Sequence, residues 1–106
     1  MINSWLRKTR SIFTYGDGTI IEDNRPRIVC KDGYSVSVQA SRFHCCEPRV
    51  DGADKYESVE LGFPNREDPL INAYAEEDRY YTDTVYVYVP VEIVNELIEK
   101  HGGIVE

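Results

Sequence analysis

The sequence predicts an α+β domain: an antiparallel sheet of three to five strands with the C-terminal helix packed on one face. Three observations carry the expectation. Residues 84–89 alternate strictly, with Val85, Val87 and Val89 on one side and Thr84, Tyr86 and Tyr88 on the other, and run straight into a helical pattern at Pro90. Residues 34–40 alternate in the same way behind an Asp32-Gly33 pair, and residues 56–63 alternate up to Pro64. With 106 residues the chain holds enough apolar side chains for one core, so a single domain over 1–106 is expected, with its core in residues 27–103.

Taken in order, the segment 1–26 carries the weakest patterns. Asn3 is placed to cap a short helix over residues 4–8, and Ile12-Phe13-Thr14-Tyr15 and Thr19-Ile20-Ile21 flank Gly16-Asp17-Gly18 as a hairpin. After the Pro26 loop, Ile28-Val29-Cys30 and residues 34–40 bracket Asp32-Gly33, which suits the positive φ of a two-residue hairpin turn. Tyr34, Val36, Val38 and Ala40 form its inward side. Residues 43–54 and 65–83 have no period and read as long connections. In residues 56–63 the expected inward set is Glu57, Val59, Leu61 and Phe63, with Tyr56, Ser58 and Glu60 opposite. Pro90 suits the first turn of a helix, since its missing N–H would have no partner there, and Glu92 complements the helix dipole. Val91, Val94, Leu97 and Ile98 line the buried stripe, and Gly102-Gly103 end the helix.

Charge is unevenly distributed. Residues 1–50 hold eight Lys/Arg against five Asp/Glu, a net of +3, and residues 51–106 hold four against fourteen, a net of −10, which together give the −7 of the chain. A field of that sign repels phosphate backbones and attracts basic surfaces, so direct nucleic-acid binding is not expected. No apolar run is long enough to cross a bilayer and the N-terminus does not resemble a secretory signal, so a cytosolic location is expected. Cys30, Cys45 and Cys46 read as free thiols.

Among chemistry-bearing residues, His44-Cys45-Cys46 contains zinc-ligand and thiol-nucleophile types. Its spacing lacks the paired ligands of a zinc site and no orienting third group accompanies it, so no metal, cofactor or catalytic residue is assigned. Arg49 could grip an anionic ligand beside His44, or it could pair with Glu47, Asp51 or Glu60. The tyrosines opposite the valine face, Tyr56, Tyr86 and Tyr88, need a cover: a loop of this chain, a second copy, or another protein. Gly-rich phosphate loops, nucleophile elbows and His-Glu-x-x-His helices are absent.

Residues 35–41 (Ser-Val-Ser-Val-Gln-Ala-Ser), His44, Cys45, Pro48-Arg49, Tyr56, Val59-Glu60, Gly62, Pro64, Thr84-Val85-Tyr86, Tyr88-Val89-Pro90 and Glu99-Lys100-His101-Gly102-Gly103 together resemble small uncharacterised proteins of tailed phages and prophages. The resemblance spans about residues 28–103. It implies a phage accessory protein acting in the cytoplasm of a bacterial host, and small acidic proteins of that kind often inhibit host enzymes or defence systems.

The expected function is therefore non-enzymatic: binding and inhibiting a host macromolecule with a basic surface, such as a defence or nucleic-acid-handling protein. Its candidate contact residues are Tyr56, Glu60, Glu76, Glu77, Asp78, Tyr86 and Tyr88. The alternatives are a binder that sequesters a nucleotide-like signal through His44 and Arg49, and a self-associating structural accessory, for which a homodimer is the simplest form.

Overall fold

The computed structural model describes residues 1–105. Along the chain lie helix α1 (Ile2–Lys8), strands β1 (Ile12–Thr14), β2 (Ile20–Glu22), β3 (Ile28–Val29), β4 (Ser35–Gln39) and β5 (Ser58–Gly62), a 3-10 turn at Asn72–Tyr74, strand β6 (Val85–Pro90) and helix α2 (Val91–Lys100). The strands form two antiparallel sheets, a four-stranded one in the order β3-β4-β5-β6 and a separate β1-β2 pair. The fold class is the α+β arrangement the sequence predicts, and no helix of the described residues is long and apolar enough to cross a membrane.

The β3-β4 turn differs in detail from its expectation. The Gly33 amide donates to the Cys30 carbonyl at 2.9 Å and the Cys30 amide to the Tyr34 carbonyl at 2.7 Å, and only Gly33 has positive φ, at 92°. The connection is thus a three-residue loop ending in a glycine bulge rather than a two-residue turn. Its consequence for β4 is as expected: Tyr34, Val36, Val38 and Ala40 are fully buried.

Register carries this inner face across the sheet, because Val38 pairs with Leu61 and Leu61 with Tyr86. Tyr86 therefore lies in the core with no exposed surface, contrary to the expected tyrosine face. The cause is a bulge. Val59 pairs with Val89 but Leu61 pairs with Tyr86, so Val87 and Tyr88 together oppose Glu60. Tyr88 takes φ 52°, and its amide, displaced from the ladder, donates to the Cys45 carbonyl at 3.1 Å. One extra residue reverses the phase: Thr84 and Tyr86 point inward before the bulge, Val89 and Val91 after it, leaving Val85 and Val87 half-buried on the other side.

Two further expectations are corrected. Phe63 does not join Val59 and Leu61 in the core; it has φ 49° and is exposed, because the backbone turns out of the strand there. Tyr56 is buried and not on an outer face. Its hydroxyl donates to the Val50 carbonyl at 2.7 Å and its backbone is clasped by Asn3, whose Oδ1 accepts from the Tyr56 amide at 2.8 Å and whose Nδ2 donates to the Tyr56 carbonyl at 2.9 Å. Asn3 thus ties α1 to the start of β5 instead of capping a helix, and α1 begins one residue before it.

Helix α2 buries Val91, Val94, Leu97 and Ile98, the stripe read from the sequence, each contributing about 1.5–3 kcal/mol. Gly102 and Gly103, both with φ near 90°, end it. The chain then returns beside β3, with Cys30 bridged to Ile104 and the Val105 amide donating to the Val29 carbonyl at 2.8 Å.

Candidate functional site

The acidic stretch of the second half is displayed at the outer edge of β6. Ala75 bridges to Tyr86, the Glu76 amide donates to the Val85 carbonyl at 2.9 Å, and the Glu77 amide donates to the Thr84 hydroxyl at 3.1 Å. Backbone pairing therefore fixes the stem of this excursion while Glu76, Glu77, Asp78, Arg79, Tyr80 and Asp83 remain exposed at its tip, Tyr80 with 63% of its surface in solvent. The tip is closed by the Asp83 amide donating to the Tyr80 carbonyl at 3.0 Å and by Glu77 accepting from the Arg79 amide at 2.9 Å. Beneath it the Tyr86 hydroxyl donates to the Tyr81 carbonyl, and burial pushes the Tyr86 phenol up to about 12. Tyr86 is the post on which the excursion stands, not a surface that a partner meets.

Of the other residues assigned to a contact face, Tyr88 is exposed at the bulge and Glu60 is half-buried beside it, with its Oε1 accepting from the Cys45 amide at 3.1 Å. These two sit by the crossing of the 43–54 loop, apart from the acidic tip. The structure thus brings Glu76, Glu77 and Asp78 together, places Tyr88 and Glu60 in a second patch, and removes Tyr56 and Tyr86 from the surface.

His44 and Arg49 bond to different partners, although the Arg49 charge lies near enough to act on the His44 ring. His44 Nδ1 faces the Ser41 hydroxyl at 2.6 Å, and burial, ahead of the nearby charges, lowers its pKa, favouring the neutral ring. Arg49 Nε donates to the Arg42 carbonyl at 3.2 Å, while Asp51 pairs with Arg42 at 3.3 Å, so none of the carboxylates considered for Arg49 is its partner. The Cys46 thiol donates to the Ser41 carbonyl at 3.2 Å, and burial raises the pKa of Cys46 and of Cys30, keeping both as thiols. No group of three or more His, Cys, Asp or Glu side chains among the described residues is placed to hold a metal ion.

Sequence reading missed a charged cluster around His101. Its Nδ1 lies 2.6 Å from Asp32 Oδ2 and its Nε2 2.8 Å from Asp68 Oδ2, and its ring stacks on Tyr34 with centroids 4.0 Å apart and planes 7° from parallel. Lys100 pairs with Asp68 at 3.0 Å and Arg66 with Asp32 at 3.3 Å. The hydrogen bond from His101, then that from the Tyr34 amide, holds Asp32 below the usual carboxylate range. For Asp68 burial acts upward, but hydrogen bonds from the Leu70 amide, His101 and Lys100 outweigh it and the net direction is down. The cluster joins the β3-β4 turn, the loop after β5 and the end of α2. Only Gly102, which marks where α2 stops, hinted that His101 would lie at a junction. Comparison of the chain with protein-family models, curated proteins and solved structures finds no match.

Proposed function

We propose that this protein is a non-enzymatic binding protein that docks its acidic excursion onto a basic surface of a macromolecular partner. The resemblance to small phage proteins supports a partner in a bacterial host's cytoplasm, with a defence or nucleic-acid-handling protein as the proposed class. One observation supports the reading above the others: Glu76, Glu77 and Asp78 are held on a backbone-paired stem with their side chains in solvent, in a half of the chain that carries a net of −10. A preformed loop loses little entropy on docking, and its charge raises the encounter rate with a basic groove. Occupying such a groove excludes the phosphate backbone it would otherwise bind.

The test uses immobilised wild-type protein and the variant Glu76→Lys/Glu77→Lys/Asp78→Lys with bacterial lysate. The expected result is a partner retained by the wild type at low salt, released at about 0.5 M salt where the Debye length is only a few Å, and not retained by the variant. That partner's nucleic-acid binding should be competed by the wild type alone. Retention by both proteins, or retention indifferent to salt, rejects the proposal.

A further inference from the structure

The β1-β2 hairpin stands apart from the core. Ile12, Phe13 and Tyr15 are 59%, 50% and 49% exposed, and none of them belongs to the core cluster or packs against it. Phe13 and Tyr15 contact each other edge-on at 4.9 Å. An isolated two-stranded ribbon is marginal in water, yet the base of this one is firmly built. Glu22, at its lower end, is buried against Arg25, lies 3.5 Å from Arg10, and accepts from the Gly52 amide at 2.8 Å. The Asp23 amide donates to the Ser11 carbonyl at 2.8 Å. A firmly bonded base thus carries an apolar arm that stays about half exposed and outside the core cluster of the described residues.

The open edge of β1 has a definite pattern. Ser11 bonds to Asp23 and Tyr15 to Thr19, and Phe13 pairs with Ile21 between them. In an antiparallel ladder these alternate residues face the partner strand, so Ile12 and Thr14 turn their N–H and C=O groups outward. Proteins commonly blunt such an edge with charge or proline. Residues 11–15, Ser-Ile-Phe-Thr-Tyr, contain neither.

We propose that β1 pairs antiparallel with β1 of a second copy about a two-fold axis through Phe13. In that register Ile12 of each copy faces Thr14 of the other, which satisfies every outward backbone group of the segment. The two Phe13 rings meet across the axis with Tyr15 beside them, a close non-hydrogen-bonded pair. Charge selects the occupant: a foreign basic partner is drawn to the −10 half, whereas this window carries no charge and is complementary to itself. The two-fold contact closes at two copies. Its area falls at or below the low end of the ~1,200–2,000 Å² of specific interfaces, so the dimer is a weak one.

The test is sedimentation of the full chain over about 10 μM to 1 mM, with amide hydrogen exchange at both ends of the range. Mass should rise from 12.2 kDa toward twice that value, and exchange at Ile12 and Thr14 should slow as it does. Phe13→Asp and, separately, Thr14→Lys should weaken association at least about tenfold without changing the melting profile of the dilute protein. The Glu76→Lys/Glu77→Lys/Asp78→Lys variant should still associate, so this inference and the docking proposal stand or fall separately. A monomer throughout, a dimer unaffected by both arm substitutions, a dimer without protection at Ile12 and Thr14, or one dissolved by added salt overturns the proposal.

Discussion

Glu22 and Arg25 hold the N-terminal segment to the sheet. Arg25 is 5% exposed, and its guanidinium donates to the Leu6 carbonyl at 3.0 and 3.2 Å, to the Ala40 carbonyl at 3.0 Å and to Glu22. It thereby serves the open end of α1 and the end of β4 with one side chain. Its backbone is clasped by Gln39, which accepts from the Arg25 amide at 2.8 Å and donates to its carbonyl at 2.9 Å. Glu22→Ala leaves a buried guanidinium without its counter-charge and should cost about 3–5 kcal/mol in urea unfolding, and replacing both partners by apolar residues should not restore the loss, because the Leu6 and Ala40 carbonyls then lose their donor and the Gly52 amide its acceptor. Full stability in the single variant would show that water replaces the carboxylate. The tyrosines give a second contrast at this scale: Tyr86→Phe removes the bond to the Tyr81 carbonyl and should cost about 1 kcal/mol, while Tyr88→Phe, at a site 43% exposed, should leave the unfolding midpoint unchanged.

Among the elements, β6 decides how much of the sheet could be read in advance. Its existence, its direct passage into α2 and the buried stripe of α2 all follow from side-chain types and periods. The bulge at Val87-Tyr88 leaves no such mark, because Tyr-Val-Tyr-Val alternates equally well whichever residue is extra. A one-residue slip exchanges the faces on its two sides: Val89, after the bulge, points inward as the alternation predicts, whereas before it Tyr86 takes the inward side in place of Val85 and Val87. Positive φ is the physical trace of the bulge, and glycine, the residue that would have signalled it, is absent there. Tyr88→Gly should therefore keep or raise stability by up to about 1 kcal/mol, because the left-handed conformation costs an L-residue about 1–2 kcal/mol. Tyr88→Val, branched at Cβ, should lower it. The matched pair of urea midpoints checks this, and equal losses would show that the ring's contacts, not the backbone, set the cost.

At the scale of the whole molecule, the cluster at His101 could not be read from sequence because its members lie at positions 32, 68 and 101 and meet only once the turn, the loop and the helix end are in place. It carries a pH dependence whose sign is fixed. Asp32 and Asp68 are both held below the usual 3.8 in the folded chain, so folding favours their ionised forms. The stability they contribute is complete above the unfolded carboxylate value and is lost as pH falls through the lowered folded values. Wild-type melting temperature should accordingly drop steeply below about pH 4. Other carboxylates add to that slope, so the decisive quantity is the difference from Asp68→Asn. This variant leaves Lys100 and one ring nitrogen of His101 without their anion, and should melt lower than wild type at pH 7. Its deficit should then shrink toward pH 2, where the wild-type carboxyl is itself being protonated. Curves that stay parallel from pH 7 to pH 2 would mean that Asp68 is no more ionised in the folded chain than in the unfolded one, and the cluster would then be a contact of shape rather than of charge.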